Sequence, residues 1–268
     1  MKKLIITAFL SVVSTVAALA AQYKEIHDIP YSANTDAYST ERCKLDVYYP
    51  TDMTDVPVVV WFHGGGLTGG GKFIPAELKD KGIAVVAVNY RLLPKAELAE
   101  VIDDAAAAVA WTMKNAAQYN GNPHKIVVSG HSAGGYLTSM VGLDKKYLAK
   151  YGLDPDSLAA LMPMSGQVIT HFAQRKNKGM GELQPLIDET APLYHVRPDC
   201  PPYVIVTGDR EEELFGRYEE NAYMWRMMKL VGHPDVSIYE LDGHNHGDMV
   251  CPGLTIALKN MDRLLKNR

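Results

Sequence analysis

The sequence predicts a single doubly wound α/β domain with a mostly parallel central sheet. Solid apolar runs such as Val56–Phe62 (VPVVVWF) and Ile83–Val88 (IAVVAV) suit strands buried on both faces. Helix-spaced segments separate such runs, so that strand and helix alternate from residue 56 to the end. At 268 residues and 47% hydrophobic content, the chain has enough apolar side chain to fill one large core.

The elements follow in order. Lys44 to Tyr49 (KLDVYY) alternates as a half-buried strand does, and the two apolar runs come next, with a short helix expected from Pro75 to Lys81 between them. Leu98, Val101, Ile102, Ala105 and Val109 repeat at helical spacing, which predicts a helix from Glu97 to Asn120 stopped by Gly121 and Pro123. Lys125 to Ser129 (KIVVS) reads as a strand and Ala133 to Leu143 as a helix. Ala159 to Met164 and Tyr203 to Thr207 are further strands. Glu219 to Val231 is a helix closed by Gly232 and Pro234. Ser237 to Leu241 is a last strand and Pro252 to Lys266 a last helix. Residues 167–202, polar and rich in proline, are expected to form a small lid above the sheet.

The first twenty residues stand apart. A basic MKK start, an apolar stretch from Leu4 to Leu19 and the small-residue pattern Ala18-Leu19-Ala20 predict a secretory signal cleaved after Ala20. The mature domain is then 21–268, secreted or periplasmic, with no stable membrane association. Of the chain's 27 Lys and Arg, Lys2 and Lys3 leave with the signal, so 25 remain against 31 Asp and Glu, a net of −6. That balance, with no basic patch, argues against nucleic acid as a partner. Cys43, Cys200 and Cys251 allow at most one disulfide, and Cys200–Cys251 is the pairing considered.

The chemistry concentrates at Gly130-His131-Ser132-Ala133-Gly134. This G-x-S-x-G stands between a strand and a helix, where the glycines permit a sharp turn that exposes the serine above the sheet. Upstream, His63-Gly64-Gly65-Gly66 ends an apolar strand. A glycine-rich backbone there can approach a tetrahedral oxyanion, so Gly65, Gly66 and Ala133 are the expected N–H donors, with His63 structural. A serine needs a base and an orienting acid, expected later in the chain on loops after strands. His246, which precedes a glycine and lies deep in the loop Asp242–Asp248, is favoured over His244 as the base. For the acid, residue physics leaves Asp209 and Glu211 open. The run His244-Asn245-His246-Gly247-Asp248 also matches part of a two-metal H-x-H-x-D-H pattern, but Met249 stands where the last histidine would be. His131 reads as a packing residue rather than a base.

With HGGG (63–66), VNYRLLP (88–94), DDAAAAVAW (103–111), GHSAGG (130–135), TGDRE (207–211) and the C-terminal histidine loop in hand, residues 38–268 resemble the α/β-hydrolase fold. More narrowly, they resemble esterases and carbohydrate esterases related to hormone-sensitive lipase. The resemblance implies an acid three residues after the strand-ending Gly208, hence Glu211, and His246 as base. It implies that Arg91 and Asp103 are internal scaffold partners. It also implies a serine ester hydrolase that needs no metal and no cofactor and acts on small-molecule or oligosaccharide esters such as acetyl or feruloyl esters. A serine peptidase or amidase on the same fold is the alternative. A non-catalytic binding protein is disfavoured, because serine and histidine are both present.

Overall fold

The computed structural model describes residues 21–266. The leader expectation on residues 1–20 lies outside them. Strands β1 (Tyr23–Pro30), β2 (Lys44–Pro50), β3 (Val56–Phe62), β4 (Ala84–Val88), β5 (Gly121–His131), β6 (Ala160–Met164), β7 (Tyr203–Gly208) and β8 (Val236–Leu241) form one sheet in the order β1-β2-β4-β3-β5-β6-β7-β8. From β4 to β8 every pairing is parallel, and β1 and β2 join one edge antiparallel.

The helices are α1 (Ala37–Arg42), α2 (Leu98–Asn115), α3 (Ala133–Leu143), α4 (Lys145–Ala149), α5 (Phe172–Asn177), α6 (Arg217–Leu230) and α7 (Val250–Leu265). The apolar strand runs have a two-sided burial pattern. Val58, Val60 and Phe62 belong to the core shared with α2 and α3, whereas Val59 and Trp61 belong to the core under α7. Successive side chains of a strand point to opposite faces, so an uninterrupted apolar run feeds both cores at once.

Helix α2 starts with a capping box between Glu97 and Glu100, and it ends at Asn115, where a 3₁₀ turn (Ala116–Tyr119) takes over before β5. Its buried face carries Asp104, which receives Arg91 through Nε and Nη2, each at 2.8 Å. Arg91 also reaches Glu100 at 3.0 Å. The resemblance named the wrong neighbour of the pair: Asp103 faces outward and meets Lys150 Nζ at 2.9 Å. The reason is helical phase, since residue 104 shares the buried face with Val101 and Ala105.

Residues 167–202 lie between β6 and β7 and contain α5 and one 3₁₀ turn (Pro192–His195). The segment is tied down at its base. The Glu220 carboxylate on α6 accepts from Val168 N–H at 3.1 Å, and Tyr136 Oη on α3 donates to the Thr190 carbonyl at 2.7 Å. Cys43, Cys200 and Cys251 are all free thiols, so the Cys200–Cys251 bridge is not formed. Among the described residues, no helix is long and apolar enough to cross a membrane.

Candidate active site

Ser132 sits between β5 and α3 at φ 56°, ψ −115°, in the left-handed half of backbone space. Such a conformation costs about 1–3 kcal/mol in a non-glycine residue and persists only where its surroundings impose it. The flanking glycines impose it by close approach. A Cβ on Gly134 would stand 2.0 Å from the Phe62 carbonyl oxygen, and one on Gly130 would stand 2.6 Å from Gly134 C. Strand β3, strand β5 and helix α3 can therefore meet at this point only without side chains. Ser132 N–H donates to the Met164 carbonyl at 2.9 Å, which ties the elbow to the end of β6. Eleven residues of helix point their positive end at the serine, an environment that favours negative charge.

His246 lies in the loop between β8 and α7. Its Nδ1 stands 2.8 Å from Glu213 Oε2. The acid against the imidazole is thus Glu213, and neither Glu211 nor Asp209 reaches it. Asp209 is a turn residue instead: its carboxylate accepts from Glu211 N–H at 2.8 Å and from Gly243 N–H at 2.7 Å. Glu211 is exposed. The three-residue count from Gly208 failed because the chain curls directly after the strand. The Asp209 carbonyl accepts from both Glu212 N–H (3.2 Å) and Glu213 N–H (2.9 Å), and this turn brings the fifth residue, not the third, back over the strand end. The Glu213 side chain is 1% exposed. Oε1 accepts from Gly208 N–H at 3.0 Å and from the Ser165 hydroxyl, and Oε2 accepts from Leu214 N–H at 3.1 Å. Burial alone would raise this carboxyl, but the hydrogen bonds from His246 and Ser165 outweigh it and hold the pKa at about 2.

His131 connects the His246 loop to the elbow. Its Nε2–H donates to the His246 carbonyl at 2.7 Å, and the two rings lie 4.6 Å apart. Burial, with the neighbouring His246 second, pushes its pKa down to about 4, so it is neutral near pH 7. His131 thus ties the backbone of residue 246 to the residue that precedes Ser132. Among the described residues the Ser132 hydroxyl has no hydrogen-bond partner. Bonds between nucleophile and base are often long before substrate binds and tighten in the complex.

The glycine loop lies against the elbow: a Cβ on Gly64 would stand 3.4 Å from Ser132 Cβ. Gly65 and Gly66 have φ of 116° and 63°. Among the described residues their N–H groups have no hydrogen-bond partner. As the first residue of α3, Ala133 has an N–H without an intrahelical acceptor. Of the three expected donors, Gly65 and Gly66 follow directly on the glycine that lies against Ser132, and Ala133 is the residue after the serine. His63 is buried and stacks on Tyr90 at 4.4 Å, its Nδ1–H donates to the Gly64 carbonyl at 2.6 Å, and burial lowers its pKa to about 4. That arrangement holds the loop's shape and fits the structural role expected of His63.

Sequence reasoning missed Ser165 as well as Glu213. The signal for Glu213 was the Asp209-x-x-x-Glu spacing of one helical turn. Ser165 had none beyond its place at the end of β6. The metal pattern at residues 244–248 is not assembled: His244 Nδ1 faces the Asp242 carbonyl at 2.9 Å, and Asp248 accepts from Asn245 Nδ2 at 2.7 Å. Among the described residues no three His, Cys, Asp or Glu side chains converge as metal ligands would.

The sheet order, the strained serine at a strand-to-helix turn and the histidine–carboxylate pair on the loops after β7 and β8 define an α/β-hydrolase fold. A truncated carbohydrate esterase from gut microbiota superposes on it with a TM-score of 0.74 at 17% identity, over 92% of this chain and 98% of that one. Residues 45–215 match the BD-FAE family model, and the chain belongs to that family. Among curated relatives, the carboxylesterase NlhH of Mycobacterium tuberculosis is 40% identical over 101 residues, 35% of this chain and 32% of its own. A probable isoprenylcysteine alpha-carbonyl methylesterase of rice is 35% identical over 103 residues, 37% of this chain and 24% of its own. The chain thus spans a third or less of the length of these curated relatives.

Proposed function

We propose that the protein hydrolyses carboxylic esters through an acyl-enzyme on Ser132. The 2.8 Å contact between His246 Nδ1 and Glu213 Oε2, on loops that flank the strained serine, carries this reading. With Nδ1–H held by the carboxylate, Nε2 keeps its lone pair and accepts the Ser132 proton as Oγ attacks the ester carbonyl. Glu213 offsets the imidazolium charge. The N–H groups of Gly65, Gly66 and Ala133 receive the oxyanion. The imidazolium then protonates the leaving alcohol, water attacks the acyl-serine with His246 again as base, and the carboxylic acid departs.

The substrates we propose are short acyl esters, including acetyl or feruloyl esters of carbohydrates. A cavity of about 270 Å³ beside the glycine loop supports this, with Thr68, Leu93, Pro94, Phe172 and Lys176 in its wall. Its mixed lining and modest size suit a small acyl group next to a hydroxyl-rich alcohol. The names of the carbohydrate esterase and of NlhH point the same way. Residues 1–20 are proposed as an export leader, so that the enzyme works outside the cytoplasm without a cofactor. A panel of nitrophenyl esters of rising chain length, acetylated xylan and feruloyl sugars tests the reading on the wild type and Ser132→Ala. Ester turnover that survives in Ser132→Ala, or a preference for aminoacyl-anilides over esters, would overturn it.

A further inference from the structure

We propose that Ser165 is a positioning residue for this reaction, its hydroxyl bridging Glu213 and His246 and holding the pair in register. The proposal rests on the roles given above to Ser132, His246 and Glu213, and extends them to a side chain outside that set.

Ser165 follows directly on β6, next to the Met164 carbonyl that anchors the elbow. It is fully buried, with φ at 45°, where a non-glycine residue is uncommon. Its surroundings leave it little choice. Its N–H donates to the Val206 carbonyl at 2.7 Å. Its carbonyl accepts from Arg217 Nη1, a guanidinium on α6 that is 3% exposed. Behind it, Gly166 is pressed against α3, since a Cβ there would stand 2.5 Å from Gly135 C, and the Gly166 carbonyl accepts from Asn221 Nδ2 at 2.9 Å. Strands β6 and β7 and helices α3 and α6 together hold one serine in an uncommon conformation.

That conformation delivers the hydroxyl to the acid. Ser165 Oγ donates its one proton to Glu213 Oε1 and lies 3.1 Å from His246 Nδ1. The carboxylate only accepts. The hydroxyl proton is committed to Oε1, so Ser165 turns lone pairs toward the imidazole. Both oxygens that face Nδ1 are then acceptors, and Nδ1 must carry the hydrogen. This tautomer leaves Nε2 free as a base toward Ser132. The carboxylate is held at both ends, by Ser165 and Gly208 N–H on Oε1 and by His246 and Leu214 N–H on Oε2. Without the hydroxyl, Oε1 keeps one donor. The terminal torsion of a glutamate is intrinsically broad, so the carboxylate is then free to swing out of the imidazole plane.

The competing account is that Ser165 matters only as backbone. Ser165→Gly and Ser165→Ala in the full chain separate the two. Glycine adopts φ 45° without strain and removes the hydroxyl, whereas alanine removes the hydroxyl and keeps the Cβ. A backbone role predicts that Ser165→Gly is as active as wild type. Positioning predicts that both variants lose about tenfold or more in kcat while KM stays within about twofold. It also predicts that the His246 Nδ1–H resonance, seen by NMR in wild type, is broadened or lost in both. A Ser165→Gly kcat within about twofold of wild type would refute the proposal, as would a loss confined to KM. If the wild type shows no Ser132-dependent ester hydrolysis, the functional reading falls on its own. The NMR comparison then still decides: an unchanged Nδ1–H signal in Ser165→Gly refutes positioning, and its loss supports it.

Discussion

Replacing Glu213 by glutamine changes one atom of the side chain and should nearly abolish turnover. The carboxylate receives four donors, two on each oxygen, from Ser165, Gly208, Leu214 and His246. An amide offers one acceptor oxygen and one NH₂, so whichever way it is placed, an NH₂ confronts a backbone N–H. If the NH₂ faces His246, the ring must present a bare Nδ1 and carry its proton on Nε2, where it cannot accept from Ser132. A wrong tautomer of this kind costs on the order of 10³–10⁴ in kcat.

Stability falls too. The Glu213 pKa of about 2, against an ordinary glutamate value of about 4.5, corresponds to about 3 kcal/mol in favour of the folded, ionised state. Because the folded pKa is the lower one, that contribution is complete above about pH 4.5 and drains away as pH falls toward 2. Wild type should therefore lose stability over that window, whereas Glu213→Gln should be less stable at pH 7 and flatter below pH 4.5. The assays are steady-state hydrolysis of a nitrophenyl acetate at pH 7 and urea denaturation from pH 2 to 7. Glu211→Gln, on an exposed side chain, serves as the comparison and should stay within about twofold of wild type. If Glu211→Gln proves as damaging as Glu213→Gln, the assignment made from the 2.8 Å contact is wrong.

Three further outcomes follow from other parts of the molecule. Gly65→Ala places a Cβ 2.3 Å from the Gly69 carbonyl oxygen at φ 116°, so the loop must move. We expect a kcat loss on the order of 10²–10³, as for a lost oxyanion donor, with the fold retained by circular dichroism. Asp104→Asn leaves Arg91 buried without its bidentate partner and should cost about 3–5 kcal/mol in urea denaturation, with little effect on KM. Exposed Cys251 should react with a thiol reagent in the native protein. Cys43 and Cys200, buried and with thiol pKa values pushed up to about 12 by burial, should react only after denaturation.

The parallel sheet was legible because strands covered on both faces must be apolar at every position, and Val56–Phe62 and Ile83–Val88 say so without ambiguity. The opposite edge was not. Strand β1, YKEIHDIP, is exposed at most positions, so no hydrophobic alternation marks it. The elbow could be read from its glycines, since nothing larger fits between Phe62, Gly130 and Gly134. The acid could not be counted out from Gly208, because an extended chain and a curled one place different residues over the strand end. The sequence shows three consecutive glutamates, and only the turn at Asp209 selects among them. The partner of Arg91 slipped by one for a kindred reason, since helix phase rather than proximity in sequence separates Asp103 from Asp104.

Asp209 has a mechanical effect as well. It pins the turn after β8 to the loop after β7, through Gly243 N–H to its carboxylate and its own N–H to the His244 carbonyl. The loops that carry His246 and Glu213 therefore travel as one piece, and the residues between α5 and Leu186 make none of those bonds. A protein engineer can exchange or lengthen that outer stretch to reshape which esters enter, and leave the proton-transfer frame where it stands.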